Sequence, residues 1–297
     1  MTFEGAMAVL KKRKLKRING YDALLTLFVV ALTAFAALPL VYLVSSAFKP
    51  IDEILRFPPL FLVRQPTLQN FRNLVLSLSS TSVPFLRYVF NSLLVTVVTV
   101  GLSVIICSMG AFGLVKHTPF GARWIMNLVI VALMFSGFVT QIPNYLLVIN
   151  LGMNNTYWAL ILPKVAVAYN FFLMERFTGQ IPNEILEAAR IDGARERHIF
   201  WKIVMPMLGP AWSTLIVFAF VASWNDAFGP LVYIQSQAMK TLPLAMQTIA
   251  GGTGASDLGR MGATMAAALI TTMPTIIIFV IMQGRVIKTM AYSGIKG

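Results

Sequence analysis

Charge is what this sequence has least of. Asp, Glu, Lys and Arg make up 12% of its 297 residues against 57% hydrophobic residues, and the mean hydropathy is +0.75. Soluble domains are nearer a quarter charged, so the composition excludes an ordinary soluble enzyme and marks an integral membrane protein. Acid is scarcer still, with 11 acidic residues against 24 basic ones. A nucleic-acid binder would gather such an excess on one face. Here the basic residues stand at the ends of apolar runs, the pattern of membrane orientation, and no nucleic-acid partner is expected. Cysteine is reduced to Cys107, inside an apolar run, which excludes a disulfide and a thiol-built metal site. The two histidines, His117 and His198, cannot form an H-E-x-x-H pair, and no G-x-x-x-x-G-K-[ST] segment exists. Catalytic residues, metal ligands and a cofactor held by this chain are therefore not expected, and any energy source must sit on a partner.

What the sequence has is length of apolar run. Residues 1–20 form a basic N-terminus, whose block at 11–17 holds the N-terminus in the cytoplasm and touches anionic membrane lipid. The first span is placed at 21–48. Ala34–Phe35–Ala36 could pass for a cleavage site, but the apolar run continues past Pro39 to Ala47, longer than a signal sequence, and an uncleaved span is expected. A proline-rich outer loop follows at 49–88, with a short helix around Leu68–Leu76. The core at 89–288 holds five more spans, near Val89–Leu114, Trp124–Val148, Tyr157–Met174, Leu208–Tyr233 and Met261–Met282. An outer loop rich in glycine (Gly251, Gly252, Gly254) precedes the last span, and residues 289–297 form a tail. The expected fold is all-α, a polytopic membrane protein of six transmembrane helices.

Charge also orients the chain. Of the 24 Lys and Arg residues, those at 11–14, 16, 17, 116, 123, 176, 190, 195, 197, 202, 285, 288 and 296 fall on one side. Only those at 49, 56, 64, 72, 87, 240 and 260 fall on the other, and Lys164 lies inside a span. The side with more basic charge is cytoplasmic, which places both termini and the 180–206 loop there.

That loop is the most polar stretch of the chain, with Glu184, Glu187, Arg190, Asp192, Arg195, Glu196, Arg197 and Lys202. Its grammar is helix, turn, helix. Pro182 suits a first helical turn. Ile185, Leu186, Ala188, Ala189 and Ile191 lie on one side of a short helix. Gly193 supplies the turn, and Ile199, Phe200, Ile203 and Val204 stripe a second helix running to Pro206. A short amphipathic element of this kind is made to dock in a groove on another protein.

Glu187–Ala188–Ala189, three residues, Gly193, nine residues, then Ile203–Val204–Met205–Pro206 resembles the EAA coupling loop of ABC importer permeases, E-A-A, x3, G, x9, I-x-L-P, with Met205 in place of Leu. Asp192 before Gly193 narrows the likeness to carbohydrate-type permeases. Ser223–Trp224–Asn225–Asp226 and the C-terminal Ser293–Gly294–Ile295–Lys296–Gly297 are similar to inner permeases of the maltose-importer type. So is the outer run Phe57–Pro58–Pro59 with Pro66–Thr67–Leu68 and Asn70–Phe71. The likeness runs from about Phe57 to the end.

The resemblance implies an import permease that pairs with a second permease subunit and an ABC ATPase dimer, which carries ATP and Mg. It also implies an external solute-binding protein that delivers a sugar, either a mono- or an oligosaccharide. Polyols, glycerol phosphate-like compounds and acidic sugars are the alternatives. Glu187, Ala188, Ala189, Asp192, Gly193, Ile203 and Pro206 would couple to the ATPases. Within the spans, ionisable residues are costly and mark solute paths by default, which singles out Lys164 and Asp226. The two lie at matched depth from the outer surface and should pair or share a polar cavity. Tyr169, Asn170, Trp224 and Asn225 stand beside them as path candidates. A secondary transporter would combine broken helices with intramembrane acids, of which only Asp226 is present. A membrane enzyme would need paired carboxylates, metal ligands or a Ser–His pairing, which the spans lack.

Overall fold

The computed structural model describes residues 20–79, 83–250 and 257–294, which consist of helices and their connections. The basic block at 11–17, the glycines at 251–254 and the tail residues Ile295–Gly297 lie outside the described residues. Helix α1 (Gly20–Ala47) is the first span. It leans on the last helix, α14 (Asp257–Gly294), and leaves most of its apolar surface, such as Phe35 at 73% exposure, facing outward. A helix apolar on every side belongs in hydrocarbon, where only intrahelical bonding satisfies the backbone.

The loop after α1 is clipped rather than loose. It carries α2 (Ile51–Ile54) and α3 (Gln69–Ser79), the latter close to the short helix expected at 68–76. Lys49 is buried and donates to the Leu60 carbonyl, its ammonium 4.8 Å from the Tyr42 ring centre. The Glu53 carboxylate accepts from the backbone N–H of Arg64 and Gln65 at 3.0 and 2.9 Å. The Asn70 amide, also buried, donates to the carbonyls of Ala47 and Lys49.

Helix α4 (Phe85–Lys116) is the centre of the bundle. It starts four residues before the expected Val89. It packs on α7 (Tyr157–Val165), α8 (Ala168–Gly179) and α11 (Gly209–Trp224). Ser92, Thr96, Thr99, Ser103, Cys107 and Ala111, at three- and four-residue spacing, form its buried stripe. Small residues let neighbouring backbones approach closely, which is how helices associate where no hydrophobic effect drives them.

Three expected spans are not single helices. The third is α5 (Ala122–Met134) and α6 (Gly137–Asn150), turned by 115° at Phe135–Ser136. Ser136 caps the new helix by accepting from the Phe138 N–H, which competes successfully with continuation of α5. The fourth is α7 and α8, bent by 42° at Ala166–Val167, and it runs on to Gly179 rather than stopping at Met174. Pro163 weakens the ladder just before this break, since its nitrogen has no proton to donate. The Val165 carbonyl freed there is satisfied by Ser103 Oγ at 2.7 Å and Cys107 Sγ at 3.7 Å. The fifth, expected over Leu208–Tyr233, is α11 followed by α12 (Phe228–Tyr233), interrupted at Asn225–Ala227. A short helix, α13 (Leu242–Ala250), precedes α14, which outruns the expected Met261–Met282 at both ends and continues into the proposed tail as far as Gly294. Among the described residues three helices are long and apolar enough to cross a membrane by themselves, and three bent pairs raise the number to as many as six if each pair is one span: α5 with α6, α7 with α8, and the helix at Glu196–Met207 with α11.

The connection between α12 and α13 is held to α4. Asn91 donates to the carbonyls of Ala238 and Lys240 at 2.9 and 2.8 Å and accepts from the Tyr157 hydroxyl at 2.8 Å. Ser92 Oγ accepts from the Leu242 N–H at 2.8 Å.

Candidate functional site

The polar loop folds into α9 (Asn183–Ile191) and α10 (Glu196–Met207), the latter with a π-helical turn at Phe200–Val204. Pro182 sits one place before the expected first turn, as the extended N-cap of α9 with ψ at 135°. The turn between the helices is built on Gly193, whose φ is +78°. Its N–H reaches the Arg190 carbonyl at 3.0 Å and the Ala194 N–H reaches that of Ala189 at 2.9 Å. This is a Schellman motif, and it needs the left-handed conformation that glycine adopts without steric cost.

The apolar side expected for α9 divides. Leu186 is 1% exposed and anchors the loop to a core that includes Phe112, Met174, Ile181, Ile199, Phe200 and Val204. Ala189 is partly buried, while Ile185, Ala188 and Ile191 face outward, Ile191 at 86% exposure. Glu187, Asp192 and Pro206 are exposed and Ile203 half-buried. Gly193, Asp192, Ala189 and Ile203 line one open hollow of about 560 Å³ with Arg195 and His198. The loop thus offers apolar knobs and a charged hollow to whatever lies beneath it.

Second, α10 does not end at Pro206. It continues to Met207 and meets α11 at an angle of 76° across Leu208. Pro206 and Pro210 flank that residue and deny the backbone a straight ladder. The elbow is braced: Leu208 is buried, Trp212 Nε1 donates to the Met205 carbonyl at 3.2 Å, and the Arg285 guanidinium lies 5.5 Å from the Trp212 ring centre.

Contacts that the sequence did not disclose seat the loop on α4. Lys116 Nζ donates to the Ile181 carbonyl at 2.6 Å and to Asn183 Oδ1 at 2.9 Å. His117 Nε2 lies 3.4 Å from Glu196 Oε2, and Glu196 Oε1 accepts from Arg190 Nε at 2.7 Å. The Arg190 hydrogen bond holds the Glu196 carboxyl below the usual carboxylate range, with His117 adding to the effect, and Glu196 in turn raises the Arg190 guanidinium. No local pattern signals partners 65 residues apart.

Within the bundle, Lys164 and Asp226 form an ion pair between the last turn of α7 and the α11–α12 interruption. Their side chains are 25% and 16% exposed. The two charges are partners, as the expected pairing has them. The remaining path candidates separate. Asn170 is buried and donates to Ser103 Oγ at 3.3 Å. Trp224 is 2% exposed, stacks on Phe220 and donates to the Thr271 carbonyl. Asn225 is exposed and turns to the Val221 carbonyl and Thr275 Oγ1. Tyr169 alone of the six opens into the large cavity, of about 740 Å³. That cavity lies where two breaks face each other: Phe135, Gly137 and Thr140 from the α5–α6 turn, and Pro163, Ala166, Val167 and Ala168 from the α7–α8 bend. The Tyr169 ring stands edge-on to Phe218 at 5.3 Å, held in place at the wall.

A bundle of bent spans around a cavity, with a two-helix loop at one end, is the architecture of a transport permease, and comparison with known proteins agrees. The family model described as "Binding-protein-dependent transport system inner membrane component" matches residues 103–292, and the chain belongs to that family. It is 29% identical to the arabinooligosaccharides transport system permease protein of Halalkalibacterium halodurans, over 96% of this chain and 100% of that one. It is 27% identical to the polygalacturonan/rhamnogalacturonan transport system permease protein of Bacillus subtilis, over 93% and 98%. Its fold matches a chain from the crystal structure of a bacterial ABC transporter involved in the import of the acidic polysaccharide alginate, with a TM-score of 0.77 at 21% identity, covering 92% of this chain and 99% of that one. The chain is thus a multi-pass inner-membrane permease subunit of an ABC importer. Such a subunit works with a solute-binding protein and an ATPase and is not itself an enzyme.

Proposed function

We propose that this chain forms, together with a second permease subunit, the translocation path for a mono- or oligosaccharide. An external solute-binding protein delivers the solute, and ATP is hydrolysed with Mg on a pair of ATPase subunits. The observation that carries the reading is the loop at 183–207. Its apolar knobs and hollow point away from the bundle, while its second helix passes into a span through a braced elbow. Glu187, Ala188, Ala189, Asp192, Gly193, Ile203 and Pro206 are the ATPase-coupling residues in this reading. The loop and both termini face the cytoplasm, as the distribution of Lys and Arg supports.

The solute class is supported by the relatives, whose names refer to oligo- and polysaccharides. The cavity beside Tyr169 is this subunit's share of the path, and an exposed aromatic ring at its wall suits stacking on a sugar face. The Lys164–Asp226 pair lies next to that path and holds two helix breaks together.

The test is reconstitution of the chain with its cognate permease, ATPase and binding protein in liposomes. Labelled arabino-oligosaccharides, galacturonides and neutral monosaccharides would be offered, with glycerol and glycerol phosphate as controls. ATP-dependent uptake of a saccharide supports the reading. Uptake confined to a polyol or a glycerol phosphate would replace the substrate class, and uptake independent of ATP would overturn the importer mechanism.

A further inference from the structure

The loop is covalently joined to the spans built from α8 and α11, but not to α4, the helix on which most of the bundle packs. The polar contacts at the end of α4 close that gap. Lys116, in its last turn, donates to both the Ile181 carbonyl and Asn183 Oδ1, which bracket the N-cap of α9. Its cationic head also sits where the terminal carbonyls of α4 favour positive charge. One residue on, His117 approaches Glu196 at the start of α10. Beneath them the Phe112 ring lies 5.2 Å from His117 and 5.7 Å from Phe200. Of these contacts, only that of Lys116 fixes the entry to α9.

We infer that Lys116 is a positioning residue for coupling: it locks α4 to the loop, so that a displacement imposed on the loop moves the central span as well as the two spans continuous with it. The inference rests on the reading of the loop as the joint with the ATPases. Charged hydrogen bonds to a carbonyl and an amide hold a fixed geometry that a helix end packed only by apolar contacts would not. With Lys116 removed, α9 can shift against α4 while its docking face stays intact. Hydrolysis then proceeds and less of it is converted into transport.

The experiment compares Lys116→Met, Lys116→Arg and Gly193→Asp in the reconstituted complex, scoring assembly, ATP hydrolysis and solute moved per ATP. For Lys116→Met the expected result is full assembly, hydrolysis close to wild type and a fall of at least about ten-fold in solute per ATP, since both of its charged hydrogen bonds are lost and one alone allows about that factor. Lys116→Arg should recover most of it. A residue with a merely structural role would lower hydrolysis and uptake in proportion, leaving the ratio unchanged, and that outcome overturns the inference. If Lys116→Met does not assemble, Lys116→Gln, which retains a neutral donor, is scored on the same ratio with the same criterion. Gly193→Asp separates the two levels. Loss of transport there, with a normal ratio in the Lys116 variants, leaves the joint standing and removes the lock. Unchanged transport in Gly193→Asp removes the joint itself.

Discussion

The Asp226 carboxylate that meets Lys164 occupies the space a side chain at residue 229 would take. The Gly229 N–H donates to Asp226 Oδ1 at 3.0 Å, and a Cβ at 229 would collide with Oδ2, the oxygen that takes the lysine. Gly229→Ala should therefore act at a distance from any ligand, turning the carboxylate away from Lys164 and reproducing in weaker form the effect of Asp226→Ala. Thermal unfolding of the purified chain in detergent measures this. Identical melting of Gly229→Ala and wild type would mean that the carboxylate has another rotamer in which the pair survives.

The pair itself is testable by comparing single with double replacement. A lone charge at mid-span costs about 2.5–3.5 kcal/mol on insertion scales, and the cost here is smaller because both side chains retain some exposure. Lys164→Met and Asp226→Met should each lower stability, and the double variant should be nearer wild type, since removing both charges leaves neither stranded. Exchange of the charges, Lys164→Asp with Asp226→Lys, should recover assembly better than either half. Equal damage from singles and doubles would show that the two groups act independently.

At Gly193 the backbone conformation fixes an order of tolerance. The position is open in space but left-handed, which costs other L-residues about 1–2 kcal/mol. Uptake should be best preserved in Gly193→Asn, lower in Gly193→Ala and lost in Gly193→Val, with membrane insertion unchanged throughout, because a Cβ at Gly193 meets no atom within 4 Å. Uptake unaffected in the valine variant would show that the turn geometry does not matter for coupling.

Orientation can be read with an impermeant thiol reagent on intact cells in a Cys107→Ser background. A cysteine at Gln69 in the outer loop should be labelled from outside, and one at Ile191 only after the membrane is opened. Labelling of both from outside would reverse the assignment of the loop.

The loop carries a small acid sensitivity. The Glu196 carboxyl is lowered in the folded chain by Arg190 and His117. Its contribution is therefore complete above the ordinary carboxylate pKa, near 4.5, and is lost only as pH falls through the lowered value. Protection factors of the 190–199 amides, which correct for the intrinsic pH dependence of exchange, should be independent of this group above about pH 5 and should fall below it, modestly, because an exposed pair is worth about 0–1 kcal/mol. In Glu196→Gln the acid-induced loss of protection should disappear.

The sequence revealed the apolar runs, the polar loop and its glycine turn because each is written in consecutive residues. It also placed Lys164 and Asp226 at one depth by counting along two helices. The breaks were harder to see. Ser136–Gly137 is a helix start inside a run whose hydropathy never falls, and an average over hydrophobic residues passes across it. Pro163 was visible, yet Pro39 and Pro274 sit inside unbroken helices, so proline alone does not decide. The break at 166 also depends on Ser103 and Cys107 waiting to take the freed carbonyl. Asn170 and Trp224 stood out by residue type and depth, but their facing is set by rotation about the helix axis, which only packing determines. Lys116 read as an ordinary anchoring cation, since nothing near it in the chain names Ile181 or Asn183.

The elbow at Leu208 makes α10 and α11 a bell crank. At about 1.5 Å per residue the arm is roughly 18 Å long and the shaft roughly 24 Å, set at 76° to each other. A sideways pull of about 3 Å at the arm's tip is a rotation of roughly 10°, which carries the far end of the shaft through about 4 Å. The shaft ends next to Asp226. In the coupling proposed above, a stroke of that size would exceed the reach of an ion pair, so it would either drag α7 along by Lys164 or part the two charges and leave them facing water or solute. Leverage that is modest at the loop would thus become a choice between two arrangements at the far end of α11.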